Sequence, residues 1–289
     1  MRHLPRFASR LLLCTSLVAS LALATDAPTQ AKPSMPGPQF TLVTLNLYHD
    51  RDDWPRRRVQ IVDTLRRLQP DAIALQEVLQ HEDLTNQAAW LARELGYESQ
   101  FVTTDPPSQK RRYGIALLTR GVVLEDGETL LHPLEDHRTA GFSRVQAGER
   151  SLNLYFTHLY WAPDGAATRS QQLADLLAYV AATADDAPSV IVGDFNADAD
   201  AAELAALQPS WQDAWTLLHP DAGADASSTL NPAYFTVPAR VDHVFVERGR
   251  LQPVAARLLF VDPDAEGVWA SDHRGLLVRL RFDDEATTP

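Results

Sequence analysis

Short apolar runs that each end on an acid, a carboxamide or an imidazole recur along this chain, and that recurrence limits what it can fold into. The sharpest is Ser189-Val190-Ile191-Val192-Gly193-Asp194-Phe195-Asn196. Its apolar residues, bounded by Ala187-Pro188 before and by acidic and small residues after, read as a buried strand. Open α/β sheets place their chemistry at strand ends that face a crevice. Asp194 and Asn196 are two apart, so in extended backbone they point the same way. A carboxylate there can accept a proton or hold a cation, and a carboxamide can hydrogen-bond an oxygen. Taken alone, the same residues equally describe a strand running into an Asx-type turn.

The other runs follow the same plan. Phe40 to Asn46 alternates apolar and polar residues and ends on Asn46. Trp54-Pro55 opens a helix with Val59, Ile61, Val62, Leu65 and Leu68 on its apolar face, closed by Pro70. Ala72 to Leu75 is a second buried strand, ending Gln76-Glu77. Leu84 to Leu95 reads as a helix stopped by Gly96, and Tyr97 to Val102 as a strand. A polar loop over 103–112 leads to a strand over Gly114 to Leu118, with Val122-Val123-Leu124 as a further short one. Arg144 to Ala147 and Ser151 to Phe156 flank Gly148-Glu149-Arg150 as a hairpin ending at Thr157-His158. Ala166 to Ala182 is a helix, and a short helix near Ala201 to Leu207 follows the Asp194 strand. Residues 210–238 read as a long, loop-rich segment. Val241 to Val246, Leu258 to Val261 and Gly275 to Phe282 complete the strands. So many strands with about four helices point to two stacked sheets with helices outside.

The ends and the charge bound the setting. Arg2, His3, Arg6 and Arg10 precede an apolar run from Leu11 to Leu23 that is too short to span a bilayer, and Ala22-Leu23-Ala24 is an A-x-A cleavage signal. Residues 1–24 are therefore expected to be a signal peptide, with a retained anchor as the alternative, and 25–38 a Pro-rich linker. The globular domain is expected over 39–283, in a periplasmic or secreted protein without a membrane anchor after cleavage. Cys14 is the one cysteine, so the mature chain has no disulfide, thiol nucleophile or thiolate metal site. The net charge of −12 falls to about −15 once the three Arg of the leader are removed. Lys32 and Lys110 are the two lysines, and no basic stripe tracks a nucleic-acid backbone. The acidic balance disfavours nucleic acid as a partner without closing that reading, because a divalent cation can supply positive charge. With no coiled-coil pattern, a monomer is expected.

Leu45-Asn46-Leu47, Leu75-Gln76-Glu77-Val78, Thr157-His158-Leu159, Gly193-Asp194-Phe195-Asn196, Arg240-Val241-Asp242-His243 and Ser271-Asp272-His273-Arg274-Gly275 occur in that order. In this order the chain resembles the endonuclease/exonuclease/phosphatase superfamily of metal-dependent hydrolases, over about residues 40–282. The resemblance implies an α/β fold, a four-layer α/β/β/α sandwich of two mixed, mainly antiparallel sheets flanked by helices. It implies Mg2+ or Mn2+ chemistry on a phosphate ester. Glu77 is the leading metal ligand, with Asn46 and Asp272 beside it, as oxygen donors suit such ions. By the same resemblance Asp242 orients His273, Asp194 holds or deprotonates the attacking water with Asn196 aiding, and His158 donates to a phosphate oxygen. Which of Asp194 and His273 takes the proton stays open. Tyr113, Arg144 and Trp161 are weaker candidates for substrate contact, with packing or surface roles as alternatives. His49, His132, His137 and His219 read as ordinary loop histidines, and His243 as packing.

The expected activity is a metal-dependent phosphoesterase acting on a phosphodiester or phosphomonoester through an activated water. Extracellular deoxyribonuclease and sphingomyelinase-like enzyme are narrower versions of it. A non-catalytic binding protein on the same fold is the alternative of another class.

Overall fold

The computed structural model describes Met1 and residues 39–283. The expected signal peptide beyond Met1 and all of the linker over 25–38 lie outside the described residues. Twelve strands form two sheets of six. They are β1 (Gln39–Asn46), β2 (Ala72–Gln80), β3 (Glu98–Val102), β4 (Arg112–Thr119), β5 (Val123–Leu131), β6 (Arg138–Ala147), β7 (Arg150–His158), β8 (Ser189–Asp194), β9 (Trp211–Asp213), β10 (Asp242–Glu247), β11 (Leu251–Leu259) and β12 (Gly275–Phe282). The main helices are α1 (Trp54–Leu68), α2 (Gln87–Leu95) and α3 (Ala166–Thr183), with short α4 (Ala214–Leu218) and α5 (Ala224–Ser227). One sheet runs β11-β12-β1-β2-β4-β3 and the other β5-β6-β7-β8-β10-β9.

Each sheet is mixed, and its one parallel pair needs a crossover helix. β1 pairs with β2 across α1, and β7 pairs with β8 across α3. Period-two alternation sorts the apolar side chains into layers. Leu42, Ala72, Ala74, Phe156, Val190 and Val192 meet between the sheets. Val43, Leu45, Ile73 and Leu75 face α1 and α2, while Tyr155 and Ile191 face α3. These are the four layers expected of the α/β/β/α sandwich. Among the described residues no helix is long and apolar enough to cross a membrane.

Several boundaries differ from the sequence reading. β2 does not stop at Glu77 but continues to Gln80 through a bulge. β5 extends the short strand expected at Val122-Val123-Leu124 to nine residues, most of them hidden from pattern reading because its edge position leaves Glu125, Asp126 and Glu128 exposed. β6 begins at Arg138, well before the expected Arg144, and α2 begins at Gln87 after an Asn86 cap. The segment 210–238 carries β9, α4 and α5.

Candidate active site

The alternation that buries the core also gathers the polar strand tips. Asn46 shares the inward parity of Leu42, His158 that of Phe156, Asp194 that of Val192, and Asp242 that of Val244. All four emerge between the sheets at the same end of the sandwich. Register holds them together: Asp194 lies opposite Asp242 on one side and beside His158 on the other. The two sheets meet where Asn46 Nδ2 donates to Asp194 Oδ2 at 3.0 Å. His158 Nε2 is 3.5 Å from the same oxygen. His273 Nδ1 is 2.8 Å from Asp242 Oδ2 and 4.0 Å from Asp194 Oδ2.

Two backbone exceptions complete the cluster. Gly193 has φ 147°, and a Cβ there would stand 2.0 Å from the Thr157 carbonyl oxygen, so the close approach of β8 to β7 requires glycine. Asn196 has φ 51° and donates its backbone N–H to Asp194 Oδ1 at 2.9 Å, while its Nδ2 donates to the Leu159 carbonyl. The Asx-type turn and the functional reading are thus one feature. The turn, not strand alternation, sets the direction of Asn196. At Glu77 the β2–β4 register shifts between Leu75 and Val78, and Glu77 takes φ 55°. Without that extra residue Glu77 would follow the parity of Leu75 into the helix layer; the bulge re-aims it, as bulges beside active sites do.

Electrostatics divide these groups by role. Burial and the Asp242 charge raise the Asp194 carboxyl well above the usual carboxylate range, against the pull of His273 and Asn46. Burial alone would lower His273, but Asp242, Asp194 and Asp272 together raise it to about 10. Burial, with Arg138 and His273 nearby, lowers His158 well below the ordinary histidine range, so it is neutral at pH 7. Burial and Glu77 raise Asp272 to about 6. Burial would raise Glu77 too, yet His49 outweighs it and lowers the carboxyl.

His49 and Arg138 are site residues that the sequence reading missed. His49, read as an ordinary loop histidine, pairs with Glu77 at 2.8 Å and stacks on Tyr113 with ring centroids 5.1 Å apart. Its one sequence signal is its place three residues beyond Asn46, in the loop leaving that tip. Arg138 opens β6 at the site end. Its charge acts on both His158 and Tyr113, and its Nε is buried without a hydrogen-bond partner. The apolar pattern of this strand starts only at Arg144, so the sequence places Arg138 on no element.

Tyr113 lies in the cluster, its hydroxyl 3.5 Å from His158 Nδ1. Trp161 is 65% exposed on the segment after His158. That segment is tied down by Arg169, which donates to the Tyr160 and Ala162 carbonyls, and by Gln172, which accepts from the Tyr160 N–H. Arg144 lies outside this cluster. It donates to Asn153, Glu125 and the Thr183 carbonyl, at the far end of β6. Four residues separate it along β6 from Ala140, the partner of Thr157, about 13 Å at strand rise. It braces the frame there, away from the strand tips. His243 points into the α3 side, held by Asp213 and the Ala197 carbonyl.

Two donor groups could seat a metal ion. Asp194, Asp242 and His273 each offer one ligand atom within 4.8 Å of the others. Glu77, Asp272 and the Asn46 carboxamide would offer oxygen ligands, and the Glu77 charge acts on Asp272. An all-oxygen set of this kind fits a hard divalent cation.

A family model described as the Endonuclease/Exonuclease/phosphatase family matches residues 43–273. The chain belongs to that family. Solved structures of similar fold include D. rerio TDP2 complexed with a single-strand DNA product, 20% identical with TM-score 0.71, covering 84% of this chain and 99% of that one. The human Nocturnin catalytic domain with bound sulfate is 21% identical with TM-score 0.71, covering 85% and 94%. An endonuclease/exonuclease/phosphatase from Beutenbergia cavernae is 20% identical with TM-score 0.65, covering 85% and 72%. These likenesses bear out the fold. A search of curated proteins finds no match.

Proposed function

We propose that this family member is a secreted or periplasmic phosphodiesterase that requires Mg2+ or Mn2+. The observation that carries the reading is the convergence of Asn46 Nδ2 at 3.0 Å, His158 Nε2 at 3.5 Å and His273 Nδ1 at 4.0 Å on Asp194 Oδ2. Asp242 bonded to Nδ1, with Asp194 and Asp272 nearby, favours the charged form of His273, which holds positive charge beside the phosphate. Asp194 is the base: its raised pKa suits proton uptake, and Asn46 and the Asn196 N–H fix its two oxygens. As the water oxygen bonds to phosphorus, its proton passes to Asp194, the ester P–O bond breaks, and the leaving oxygen departs with the bonding pair and takes a proton from solvent.

Neutral His158, next to Asp194, donates to a non-bridging phosphate oxygen, and Arg138 with its unpartnered Nε neutralises phosphate charge in the place first expected of Arg144. Asn46, Glu77 and Asp272 would hold the cation. His273 is already engaged by Asp242, which leaves the Asp-Asp-His trio to proton handling. When bound, the cation supplies positive charge for the phosphoryl oxygens. TDP2 complexed with a DNA product supports the diester over the monoester, whereas the charge of −12 and the two lysines argue against a long nucleic-acid strand.

The test is hydrolysis of bis-p-nitrophenyl phosphate. Activity is expected to need added Mg2+ or Mn2+, to vanish with a chelator, and to fall by about 10² or more in His273→Ala and Glu77→Ala with unchanged circular dichroism. A folded wild-type protein that hydrolyses nothing in the presence of metal would support the binding-protein alternative instead.

A further inference from the structure

Tyr48 and His49 stand in the loop that leaves the β1 tip, where no glycine occurs. Both nevertheless take left-handed backbone, with φ 55° and 48°. Non-glycine residues rarely adopt that region, and two in succession persist only where the surroundings over-determine them. Here they do. The Tyr48 N–H donates to Asn46 Oδ1 at 3.0 Å. The His49 carbonyl accepts from Arg57 Nη2 at 3.0 Å and from Nε2 of the fully buried Gln87 at 2.7 Å. Arg57 comes from α1 and Gln87 from α2, so two helices hold one strained residue. What that strain achieves is the direction of the His49 side chain.

The ring stacks on Tyr113, and Nδ1 lies 2.8 Å from Glu77 Oε2. Close as they are, the two atoms are not aligned as donor and acceptor: Nδ1 is buried and has no hydrogen-bond partner. A buried ring nitrogen left unpaired is costly. Nδ1 is directed beside Oε2 rather than at it, as two atoms that share a third are. Ligand atoms on neighbouring corners of an octahedral ion with bonds of about 2.1 Å stand about 3 Å apart, close to the spacing between Nδ1 and Oε2. A neutral imidazole with its proton on Nε2 presents Nδ1 as such a ligand.

We infer that His49 is a ligand of the cation through Nδ1, beside Glu77, and that its nitrogen makes the centre selective for a first-row transition ion, Mn2+ over Mg2+. The inference rests on the metal-dependent reading and names the ion class of that site. Mg2+ takes oxygen ligands and dehydrates reluctantly, whereas transition ions gain from imidazole nitrogen. The test titrates the full chain, freed of metal by a chelator, with MnCl2 and separately with MgCl2 by calorimetry. Pulsed electron paramagnetic resonance then reads the nitrogen couplings of bound Mn2+. Wild-type protein is expected to bind Mn2+ about tenfold or more tighter than Mg2+, with one imidazole nitrogen coupled directly to Mn2+. Glycine adopts left-handed backbone freely, so His49→Gly is expected to fold, to lose that coupling, and to bring Mn2+ affinity down about tenfold toward that of Mg2+. His49→Asn, whose side chain supplies oxygen and tolerates the same backbone, is expected to keep Mg2+ binding without the Mn2+ preference. Glu77→Ala is expected to lose both ions. Equal affinity of the wild type for the two ions, a nitrogen coupling that survives in His49→Gly, or Mn2+ binding that survives in Glu77→Ala overturns the inference. Equal loss of both ions in His49→Gly also overturns it, and makes His49 a support for Glu77 only. Folded wild-type protein that binds neither ion would overturn the metal-dependent reading, and this inference with it.

Discussion

Asp194 sits where two demands conflict. Burial and the neighbouring Asp242 resist its charge, while Asn46, the Asn196 N–H and His273 favour it. Replacing it with Asn removes the repulsion and keeps the shape. Asp194→Asn should lose about 10²–10⁴ in kcat yet melt no lower than wild type, read by steady-state kinetics beside a thermal scan. Two arginines on β6 should separate in the same assays. Arg138→Ala should lower kcat/KM about tenfold or more, whereas Arg144→Ala should spare activity and cost about 1–3 kcal/mol of stability. Away from the site, Asp213 answers to pH. Burial opposes its charge, but His243, Arg240 and the Thr216 N–H prevail and hold the carboxyl well below the usual range. A depressed folded pKa gives stability that is complete above the ordinary carboxylate range of about 4 and is lost as pH falls below it. The gap in melting temperature between wild type and Asp213→Asn should thus be wide at pH 7 and shrink toward pH 2. A gap that ignores pH would refute that assignment.

At the scale of elements, α1 does more than cross between β1 and β2. It delivers Arg57, fully buried, whose guanidinium donates to the carbonyls of Leu47, Tyr48, His49, Arg51 and Ala270. That one side chain ties the loop after Asn46 to the segment before Ser271-Asp272-His273. Arg57→Met should strand those acceptors, cost on the order of 3 kcal/mol or more, and weaken metal binding along with stability. Period-two alternation made the tips at Asn46, His158, Asp194 and Asp242 legible in the sequence, because a strand buried on both faces keeps its parity to the end. The β2 bulge was not legible, since one extra left-handed residue leaves no compositional trace in Leu75-Gln76-Glu77-Val78. Most of β5 escaped because an edge strand studded with acids lacks an apolar period, and the first half of β6 because Arg138-Thr139-Ala140-Gly141-Phe142-Ser143 holds one large apolar residue. Arg138 was lost with them. His49 could not be read as a Glu77 partner because their pairing across 28 positions exists only once the bulge turns Glu77 toward it.

The whole molecule supplies the site from both sheets, and no contiguous piece holds it. Asn46 and Glu77 come from one sheet, His158, Asp194 and Asp242 from the other, and the Asn46–Asp194 bond closes the gap between them. Hydrolytic activity and far-UV dichroism should accordingly vanish at the same urea concentration; activity lost well before the dichroism would mean that the sheets separate first. The pairing of β1 with β12, which joins Gln39–Asn46 to Gly275–Phe282, adds a consequence for biosynthesis. A chain halted at residue 274 has every catalytic and metal-binding side chain named above, yet β1 lies open on one edge and His273 has no strand behind it. Such a nascent or truncated chain should be inert, so any activity is held off by the topology until β12 has been made.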